Sequence, residues 1–298
     1  MNRAPRILLT GKNGQIGYEL ERSLQGLGQI VALGREQMDL ADLEQVRAVI
    51  RRIRPDVIIN AAAYTKVDQA ESEPELALRI NGEAPGVMAQ EARALGAAMI
   101  HYSTDYVFDG NKSAPYTEVD APAPLNAYGR SKLAGETAVR AAGIPHLIFR
   151  TSWVYGMRGK NFLLTVLRLA EQGESLRMVE DQYGAPTWCR TVADATAHVL
   201  AQAISAPDTA QWWRERSGVY HLAAQGHTNW HEFATAILAH PSVQAKAAVL
   251  PPVFPIAACA YPTAALRPEN SVLSCESFKR RFFELPDWKD SLRLCLEP

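Results

Sequence analysis

Short apolar runs alternate with longer amphipathic segments through the first half of the chain, and each pattern predicts a different element. The apolar runs predict five β-strands, at Arg6–Thr10, Gln29–Leu33, Val57–Asn60, Ala98–Ser103 and Leu147–Arg150. The amphipathic segments predict helices over Gln15–Leu27, Leu43–Ile53, Pro74–Gly96 and Tyr128–Ala142. Because strands without a polar face are buried on both sides, the alternation predicts an α/β fold with a doubly wound parallel sheet.

The alternation becomes irregular after Trp153, which indicates a second unit. Helices are predicted over Asn161–Gln172, Thr191–Ala203, Trp230–Ala239, Ser274–Phe282 and Asp287–Leu296, and strands over Leu176–Val179 and Val219–Leu222. Residues 208–216, with Trp212 and Trp213, are expected to form an inserted surface helix, and the proline-rich residues 241–268 an irregular stretch. We expect one domain over residues 1–155. A smaller α/β domain should lie mainly over residues 156–298, partly discontinuous, with some segments returning to the first domain.

The overall composition indicates which kinds of molecule the protein is expected to bind. Hydrophobic residues make up 47% of the 298 positions and charged residues 21%, and the formal net charge is −1. General binding to nucleic acid or to a membrane surface needs excess positive charge, so we expect neither, and a small-molecule partner instead. No apolar run is long enough to span a bilayer and no secretory segment is expected at the N-terminus, so the cytoplasm is the expected location.

The four cysteines, at positions 189, 259, 275 and 295, stand far apart and form no C-x-x-C pair. This spacing argues against a zinc site and against a disulfide framework. We therefore assign no metal site from the sequence.

A glycine-rich turn joins the first predicted strand to the first predicted helix. Its seven residues are Gly11, Lys12, Asn13, Gly14, Gln15, Ile16 and Gly17. Glycines at such a turn let the backbone bend tightly and approach a pyrophosphate, and the helix N-terminus offers free N–H groups to the phosphate. An ordinary glycine turn is the alternative, but the position at the first strand–helix joint favours a dinucleotide site in a Rossmann-type domain.

The end of the second predicted strand bears on the choice of cofactor. An acidic residue there would bind the adenosine ribose hydroxyls and favour NAD, but this chain has Arg35 instead. Arg35 can pair with a 2′-phosphate, so we expect NADPH as the cofactor, with NADH as an alternative. A solvated surface arginine is the other explanation, and Asp39 and Leu40 are expected to flank the adenine.

Tyr128 and Lys132 lie four residues apart in a predicted helix and therefore share one face. The ammonium is expected to lower the pKa of the phenol from its usual value of about 10, so that the tyrosine can protonate a carbonyl oxygen as hydride reaches the carbon. Thr104, at the end of the fourth predicted strand, can donate to the same oxygen, since open α/β sheets bind ligands at strand ends. These features favour a reductase over the alternative of a solvated helix face.

With these motifs the chain resembles the extended short-chain dehydrogenase/reductases, and within them the reductases of dTDP-linked keto-deoxysugars, over nearly its whole length. The resemblance rests on seven segments, at residues 11–17, 60–68, 103–110, 124–129, 150–155, 181–187 and 267–271. It implies reduction of the C4 keto group of dTDP-4-dehydro-6-deoxy-L-mannose to a dTDP-linked deoxysugar used for bacterial surface glycans such as lipopolysaccharide.

The resemblance also implies roles for individual residues. Tyr128 would be the proton donor, Lys132 its partner and a ligand of the nicotinamide ribose, and Thr104 the carbonyl clamp. Ala62, Ala63 and Tyr64 would line the cofactor. The residues implied to face the sugar are Thr65, Val67, Asp105, Tyr106 and Trp153, with Arg267 and residues 182–187 nearer the nucleotide diphosphate. An aromatic ring face suits a 6-deoxysugar, although core packing is the alternative for Trp153 and an inter-domain ion pair the alternative for Arg267.

Related activities remain as alternatives. Sugar-nucleotide dehydratases of the family carry a glutamate where this chain has Tyr106, so dehydration is disfavoured. Another sugar-nucleotide keto-reductase or epimerase, or a cofactor-binding regulatory subunit, would share the cofactor motifs. Some members dimerise through a magnesium ion, but no residues here can be assigned to that role. We expect a monomer or a homodimer.

Overall fold

Twelve strands and twelve α-helices lie in the part of the chain that the computed structural model describes, residues 4–173, 175–245 and 250–297. In chain order the strands are β1 (Arg6–Thr10), β2 (Gln29–Leu33), β3 (Val57–Asn60), β4 (Ala98–Thr104), β5 (His146–Thr151), β6 (Val154–Tyr155), β7 (Leu176–Val179), β8 (Tyr183–Gly184), β9 (Thr187–Trp188), β10 (Gly218–His221), β11 (Thr228–Asn229) and β12 (Val253–Ile256).

The helices are numbered in the same way. They are α1 (Gln15–Ser23), α2 (Leu43–Ile53), α3 (Pro74–Leu78), α4 (Ala84–Leu95), α5 (Ala127–Ala141), α6 (Phe162–Glu171), α7 (Cys189–Ser205), α8 (Thr209–Arg216), α9 (Trp230–Ala239), α10 (Pro241–Gln244), α11 (Glu276–Arg281) and α12 (Trp288–Leu296). A π-helical turn, Arg79–Glu83, joins α3 to α4, and single 3₁₀ turns lie at Gln69–Glu71, Asp105–Val107 and Ala258–Ala260.

Six parallel strands form the central sheet, in the order β10-β5-β4-β3-β1-β2. The inner strands β1, β3 and β4 are buried on both faces, as Ile7, Leu8 and Ile58 illustrate with no exposed surface, whereas the edge strands β2 and β10 are partly exposed. One apolar layer packs the sheet against α1 and α7, and a second packs it against α2, α4 and α5. The predicted doubly wound α/β fold is confirmed, and the strand order reverses at β1, where such sheets form a ligand crevice.

A separate apolar cluster lies in the second half of the chain. It contains Leu163 of α6, Phe233 of α9 and Leu292 of α12, packed beside β7. β7 pairs in parallel with β12, and two-residue ladders join β6 to β9 and β8 to β11. β10 belongs to the central sheet, although in the chain it lies between β9 and β11.

The predicted strands and helices are found with boundaries shifted by a few residues, but two expectations were wrong. Residues 241–268 are more ordered than their prolines suggested, because they contain α10 and β12, although residues 246–249 lie outside the described residues. The predicted helix at 208–216 is confirmed as α8. However, Trp212 and Trp213 are buried, and both join the cluster beneath the sheet because α8 packs on α7.

Candidate active site

A cleft of about 800 Å³ opens at the carboxyl ends of the central strands. Most of the residues expected from the sequence to bind cofactor or substrate line this cleft: Gly11, Asn13, Gly14, Gln15, Ile16, Arg35, Asp39, Leu40, Ala62, Ala63, Tyr64, Thr65, Val67, Thr104, Asp105, Tyr106, Tyr128, Lys132 and Trp153. Lys12, Gly17 and Arg267 are not part of its lining. The cleft has the size of a site for a small molecule or cofactor.

The glycine turn at one end of the cleft has a conformation that requires glycine. Gly11 has φ +72°, and a Cβ there would lie 2.7 Å from the backbone nitrogen of Ala62. A Cβ at Gly17 would lie 2.0 Å from the Gly11 carbonyl oxygen, so Gly17 allows α1 to pack against the turn. The N-terminus of α1 therefore faces the cleft with its first N–H groups free to bind phosphate.

Arg35 and Asp39 lie beside each other at the adenosine end. The guanidinium Nε of Arg35 is 3.2 Å from the Asp39 carboxylate, and 75% of the Arg35 side chain is exposed. Asp39 also accepts a hydrogen bond from the backbone of Ala41. An exposed guanidinium can pair with a 2′-phosphate, while the neighbouring carboxylate can accept from ribose hydroxyls.

Helix α5 carries Tyr128 and Lys132 into the cleft. Asn126 caps its N-terminus by accepting a hydrogen bond from the Gly129 backbone, which fixes the first turn. The Lys132 side chain is buried, and its Nζ donates to the carbonyl oxygen of Tyr102 at 2.5 Å. Tyr128 and Lys132 thus project from one face of the helix towards the ends of β4 and β5.

The expected lowering of the Tyr128 pKa is wrong for this structure. The pKa of Tyr128 is raised to about 12, mainly by burial; a hydrogen bond with Thr104 opposes the shift, and the smaller effect of the Asp105 charge adds to it. Burial also lowers the pKa of Lys132 to about 8, against the raising effect of Glu136. Desolvation disfavours the charged form of both groups and is the largest cause of both shifts. Tyr128 is therefore a protonated phenol near neutral pH, the form that donates a proton.

Thr104 is held at the end of β4 by its neighbours. Its hydroxyl donates to the Asp105 carboxylate at 3.0 Å and accepts from the Tyr106 backbone N–H at 3.2 Å. Burial raises the pKa of Asp105 to about 6, although hydrogen bonds from Ser271, Thr104 and Ser152 oppose the shift. The network fixes the Thr104 hydroxyl within reach of the Tyr128 phenol.

Asn81, in the π-helical turn, forms hydrogen bonds to two segments that border the cleft. Its side chain accepts from the Tyr64 backbone N–H, and its amide donates to the Tyr64 carbonyl and to Ser131 Oγ. It is almost completely buried. Asn81 therefore ties the loop after β3 to the helix that carries Tyr128, which suits a π-turn at a functional site.

Tyr106, Arg267 and Trp153, which the resemblance implies to bind the substrate, each contact other side chains of the protein. The ring of Tyr106 meets that of Tyr128 edge-on, with centroids 5.7 Å apart. Arg267 forms a two-pronged ion pair with Asp68, at 3.1 and 2.7 Å; burial lowers its pKa, but the hydrogen bond to Asp68 and the nearby Tyr106 together raise it. The alternative of an ion pair between the two halves of the chain is thus what the structure shows for Arg267. Trp153 lines the cleft, and one face of its ring is covered by the stacked ring of Trp230.

The sequence analysis missed several residues that line the cleft. Ser103 and Thr151 end β4 and β5, and their hydroxyls are buried without a partner among the described residues. Both residues lie at strand ends, where open α/β sheets bind ligands, so the argument that indicated Thr104 applies equally to Ser103 and Thr151. Asn161 and Trp230 also line the cleft, but they begin or precede helices far along the chain, and no local signal marks them.

Residues 182–187 lie outside the lining of the main cleft. Gln182 accepts a hydrogen bond from the Trp230 indole N–H at 3.3 Å. Tyr183 lines a second, open cavity of about 470 Å³ with Asp181, His227 and Glu269. Within residues 4–173, 175–245 and 250–297, no group of three His, Cys, Asp or Glu side chains has a metal-binding arrangement, and no helix has the length and apolarity to cross a membrane.

The chain is similar to known proteins over nearly its whole length. A family model described as the RmlD substrate binding domain matches residues 5–298. A dTDP-4-dehydrorhamnose reductase of Burkholderia thailandensis is 51% identical, with 98% of each chain covered. One of Escherichia coli K12 is 45% identical, covering 97% of this chain and 96% of its own. A Bacillus anthracis dTDP-4-dehydrorhamnose reductase, solved in complex with NADP, is 34% identical with a TM-score of 0.88 and 98% of each chain covered.

Proposed function

The chain belongs to the RmlD substrate-binding-domain family, and we propose that it is an NADPH-dependent dTDP-4-dehydrorhamnose reductase. Its reaction would reduce the C4 keto group of dTDP-4-dehydro-6-deoxy-L-mannose to give dTDP-L-rhamnose. The observation that carries this proposal is the set formed by Thr104, Tyr128 and Lys132 at the end of a cleft that begins at a glycine turn. Relatives at 45–51% identity over nearly the whole chain bear the name of this activity.

The cleft is suited to a nicotinamide dinucleotide. Gly11 and Gly14 leave backbone room for a pyrophosphate at the N-terminus of α1, and Arg35 offers a cation at the adenosine end. The buried, unpartnered hydroxyls of Ser103 and Thr151 can bond polar groups of a ligand at the other end. When bound, the reduced cofactor supplies the hydride that reaches C4.

Proton delivery falls to Tyr128. Because burial holds its pKa at about 12, the phenol stays protonated at neutral pH and can give its proton to the C4 oxygen as negative charge develops. The buried ammonium of Lys132 stabilises the phenolate that remains. Thr104 can turn its hydroxyl from Asp105 to the same oxygen, which orients the carbonyl and adds a donor where charge develops.

Substrate binding is assigned to the residues around this centre. Thr65 and Val67 line the cleft on the β3 side, and Tyr106 contacts Tyr128. Arg267 can donate to the nucleotide diphosphate when phosphate oxygens replace the Asp68 carboxylate at its guanidinium N–H groups. The partner is a nucleotide sugar rather than nucleic acid or membrane.

Location and assembly follow from the same proposal. A reaction that consumes NADPH, in a chain whose four cysteines are free, fits the reducing cytoplasm. We propose a monomer or a homodimer, which light scattering of the purified chain would distinguish.

The experiment is loss of NADPH absorbance with the purified chain and enzymatically prepared dTDP-4-keto-6-deoxysugar, with Tyr128→Phe alongside. We expect turnover to dTDP-rhamnose that falls by about 10²- to 10⁴-fold in the variant, while NADPH affinity is retained. NADPH binding without oxidation in the presence of the sugar would refute the reductase assignment. Copurification of a stoichiometric enzyme partner would then favour a regulatory subunit.

A further inference from the structure

Residues 156–161, between β6 and α6, form a turn that packs against the helix after the glycine turn. Asn161 caps α6 with its side-chain oxygen. Its amide nitrogen lies 2.8 Å from Gln15 Oε1, 2.8 Å from the Gly156 carbonyl oxygen and 3.1 Å from that of Arg158, so its two hydrogens are shared among three acceptors. One side chain therefore fixes the shape of the 156–161 turn and joins it to the first residue of α1.

The backbone of the 156–161 turn lies against α1 at the phosphate end of the cleft. Gly159 has φ +76°, and a Cβ built on it would lie 3.4 Å from Gln15 Cγ. Gly159, Lys160 and Asn161 line the same cleft as Gly14 and Gln15. The second half of the chain thus supplies part of the cleft wall beside the N-terminus of α1.

A tyrosine between two arginines forms a second contact between the 156–161 turn and α1. The guanidinium carbons of Arg22 and Arg158 lie 3.3 and 3.7 Å from the centroid of the Tyr18 ring. Two guanidinium groups so close to one centroid must lie over opposite faces of the ring. Cations over a tyrosine face are attracted by the negative face of the ring, so Arg158 attaches the turn to the first turn of α1.

The positive charges at this end of the cleft are not balanced by carboxylates. Among the residues that the structure describes, none forms an ion pair with Arg22, Arg158 or Lys160. Like charges repel one another, and the N-terminus of α1 adds the positive end of its dipole. A bound anion beside α1 would therefore be stabilised by the helix and by the 156–161 turn together.

We propose that Lys160 binds the pyrophosphate of the nicotinamide dinucleotide, and that Asn161 and Arg158 are positioning residues that hold the 156–161 turn where the lysine meets this group. The inference rests on the proposed function, since that function supplies the cofactor. The glycine turn and α1 offer N–H groups to the pyrophosphate, and Lys160 adds a point charge from the other half of the chain.

The binding role is tested by calorimetric titration of the full chain with NADP⁺, with NAD⁺ and separately with dTDP. Lys160→Met removes the charge and keeps an unbranched side chain. We expect both dinucleotides to bind about 3- to 10-fold more weakly, a modest loss because the lysine is exposed, while the affinity for dTDP is unchanged. Lys160→Arg should retain most of the dinucleotide affinity.

Each other outcome contradicts the assignment in a different way. A loss with NADP⁺ alone would place the lysine at the 2′-phosphate, and a loss with dTDP alone would place it at the substrate diphosphate. Unchanged affinity for all three probes would leave Lys160 a solvated surface residue. Any of these results overturns the proposal.

Lys66 provides a matched control for the charge of the cleft. It is also an exposed lysine of the cleft wall, but it lies in the loop after β3. Lys66→Met should leave the affinity for both dinucleotides unchanged. An equal loss in Lys66→Met would mean that only the overall charge of the cleft matters, which overturns a specific contact of Lys160.

The positioning role of Asn161 is tested by a double-mutant cycle. Asn161→Ser keeps a residue that can cap α6 and loses the amide that bonds Gln15. It should weaken dinucleotide binding in the unsubstituted chain but cause little further loss in Lys160→Met, because Asn161 acts through Lys160. Fully additive losses, as a merely structural role would give, overturn the positioning role.

Asn229→Ser makes the same change at another helix cap. Asn229 caps α9 through the Glu232 backbone, and its substitution should not change dinucleotide affinity. An equal loss in Asn229→Ser would assign the effect of Asn161→Ser to a weakened cap and overturn the positioning role.

The titrations also separate this inference from the proposed function. An unsubstituted chain that binds neither dinucleotide would overturn both. A chain that binds them but does not oxidise NADPH with the keto sugar would refute the reductase assignment alone, and losses confined to the variants bear only on Lys160 and its positioning.

Discussion

The side-chain amide of Asn126 donates to the carbonyl oxygen of Leu266 at 2.8 Å. The same side chain caps α5 by accepting from Gly129, so one residue joins the start of the helix that carries Tyr128 to the segment before Arg267. Ala265 donates from its backbone to Asp68 in the same region. Residues 263–268 are therefore held against both the loop after β3 and the N-terminus of α5.

Substitution of Asn126 should separate these two functions. Asn126→Asp keeps the helix cap and loses the donor to Leu266, so we expect the KM for the sugar nucleotide to rise several-fold with little change in Tm. Asn126→Ala loses both interactions and should also cost about 0.5–2 kcal/mol of stability. Steady-state kinetics and thermal unfolding measure the two effects.

Asp42→Ala is a matched control for the cap. Asp42 caps α2 through Gln45, and it contacts none of the residues of the cleft wall beside Tyr128. Its loss should lower stability by a similar amount and leave KM unchanged. A wild-type KM in Asn126→Asp would show that residues 263–268 are held without this hydrogen bond.

Arg35 offers a test of cofactor choice. Arg35→Asp places a carboxylate where a 2′-phosphate would lie, so we expect the ratio of kcat/KM for NADPH to that for NADH to fall by about tenfold. The effect is modest because the side chain is largely exposed. Asp39→Asn is the reciprocal control, since it frees Arg35 and should weaken use of NADH. An unchanged ratio in Arg35→Asp would mean that this arginine is only a solvated surface residue.

The fold could be predicted from the sequence to a large extent, because most strands of the central sheet are short and largely apolar runs. The five strands up to β5 follow from this pattern, and the glycine turn follows from the spacing of its glycines after the first strand. By contrast, β8 and β11 have two residues each, too short for a periodic signal. Trp230 and Gly184 meet Trp153 only through that ladder, so their contact could not be predicted.

The chemistry of the site was only partly predictable. The spacing of Tyr128 and Lys132 indicates that they share a helix face, and the structure bears this out. The pKa of Tyr128 depends on its burial, which is a property of the assembled cleft and not of the local sequence. This is why the expected direction of that shift was wrong while the placement of the pair was right.

The glycine turn gives a prediction about the fold of the cofactor end. Gly17→Ala puts a methyl group 2.0 Å from the Gly11 carbonyl, so the turn and α1 must move apart. We expect loss of NADPH binding together with a lower Tm, measured by fluorescence titration and thermal unfolding. Gly14→Ala is the comparison, because its Cβ would lie 3.3 Å from the same oxygen and Gly14 has an ordinary negative φ. It should change Tm little; an equal fall in both variants would contradict this account.

Lys132 should govern the alkaline limb of the pH profile. Its pKa is lowered to about 8 by burial, so the ammonium is present below pH 8 and is lost as the pH rises through that value. Because kcat/KM reports the free enzyme, we expect it to fall about tenfold per pH unit above pH 8. Tyr128, with a pKa of about 12, remains protonated throughout this range.

The charge of Glu136 opposes the lowering of the Lys132 pKa, so substitution of Glu136 should shift that pKa in a known direction. Its carboxylate raises the pKa of Lys132, so Glu136→Gln should move the alkaline limb to lower pH. Glu136 is bound by both prongs of Arg150 at 2.8 and 2.7 Å, and both side chains are buried, so the single variant should also lose about 3–5 kcal/mol of stability. The double variant Glu136→Leu/Arg150→Met removes both charges and should regain stability. In the double variant, kcat/KM should still begin to fall at a lower pH than in the unsubstituted chain. If the fall stays near pH 8 in both variants, a group other than Lys132 causes it.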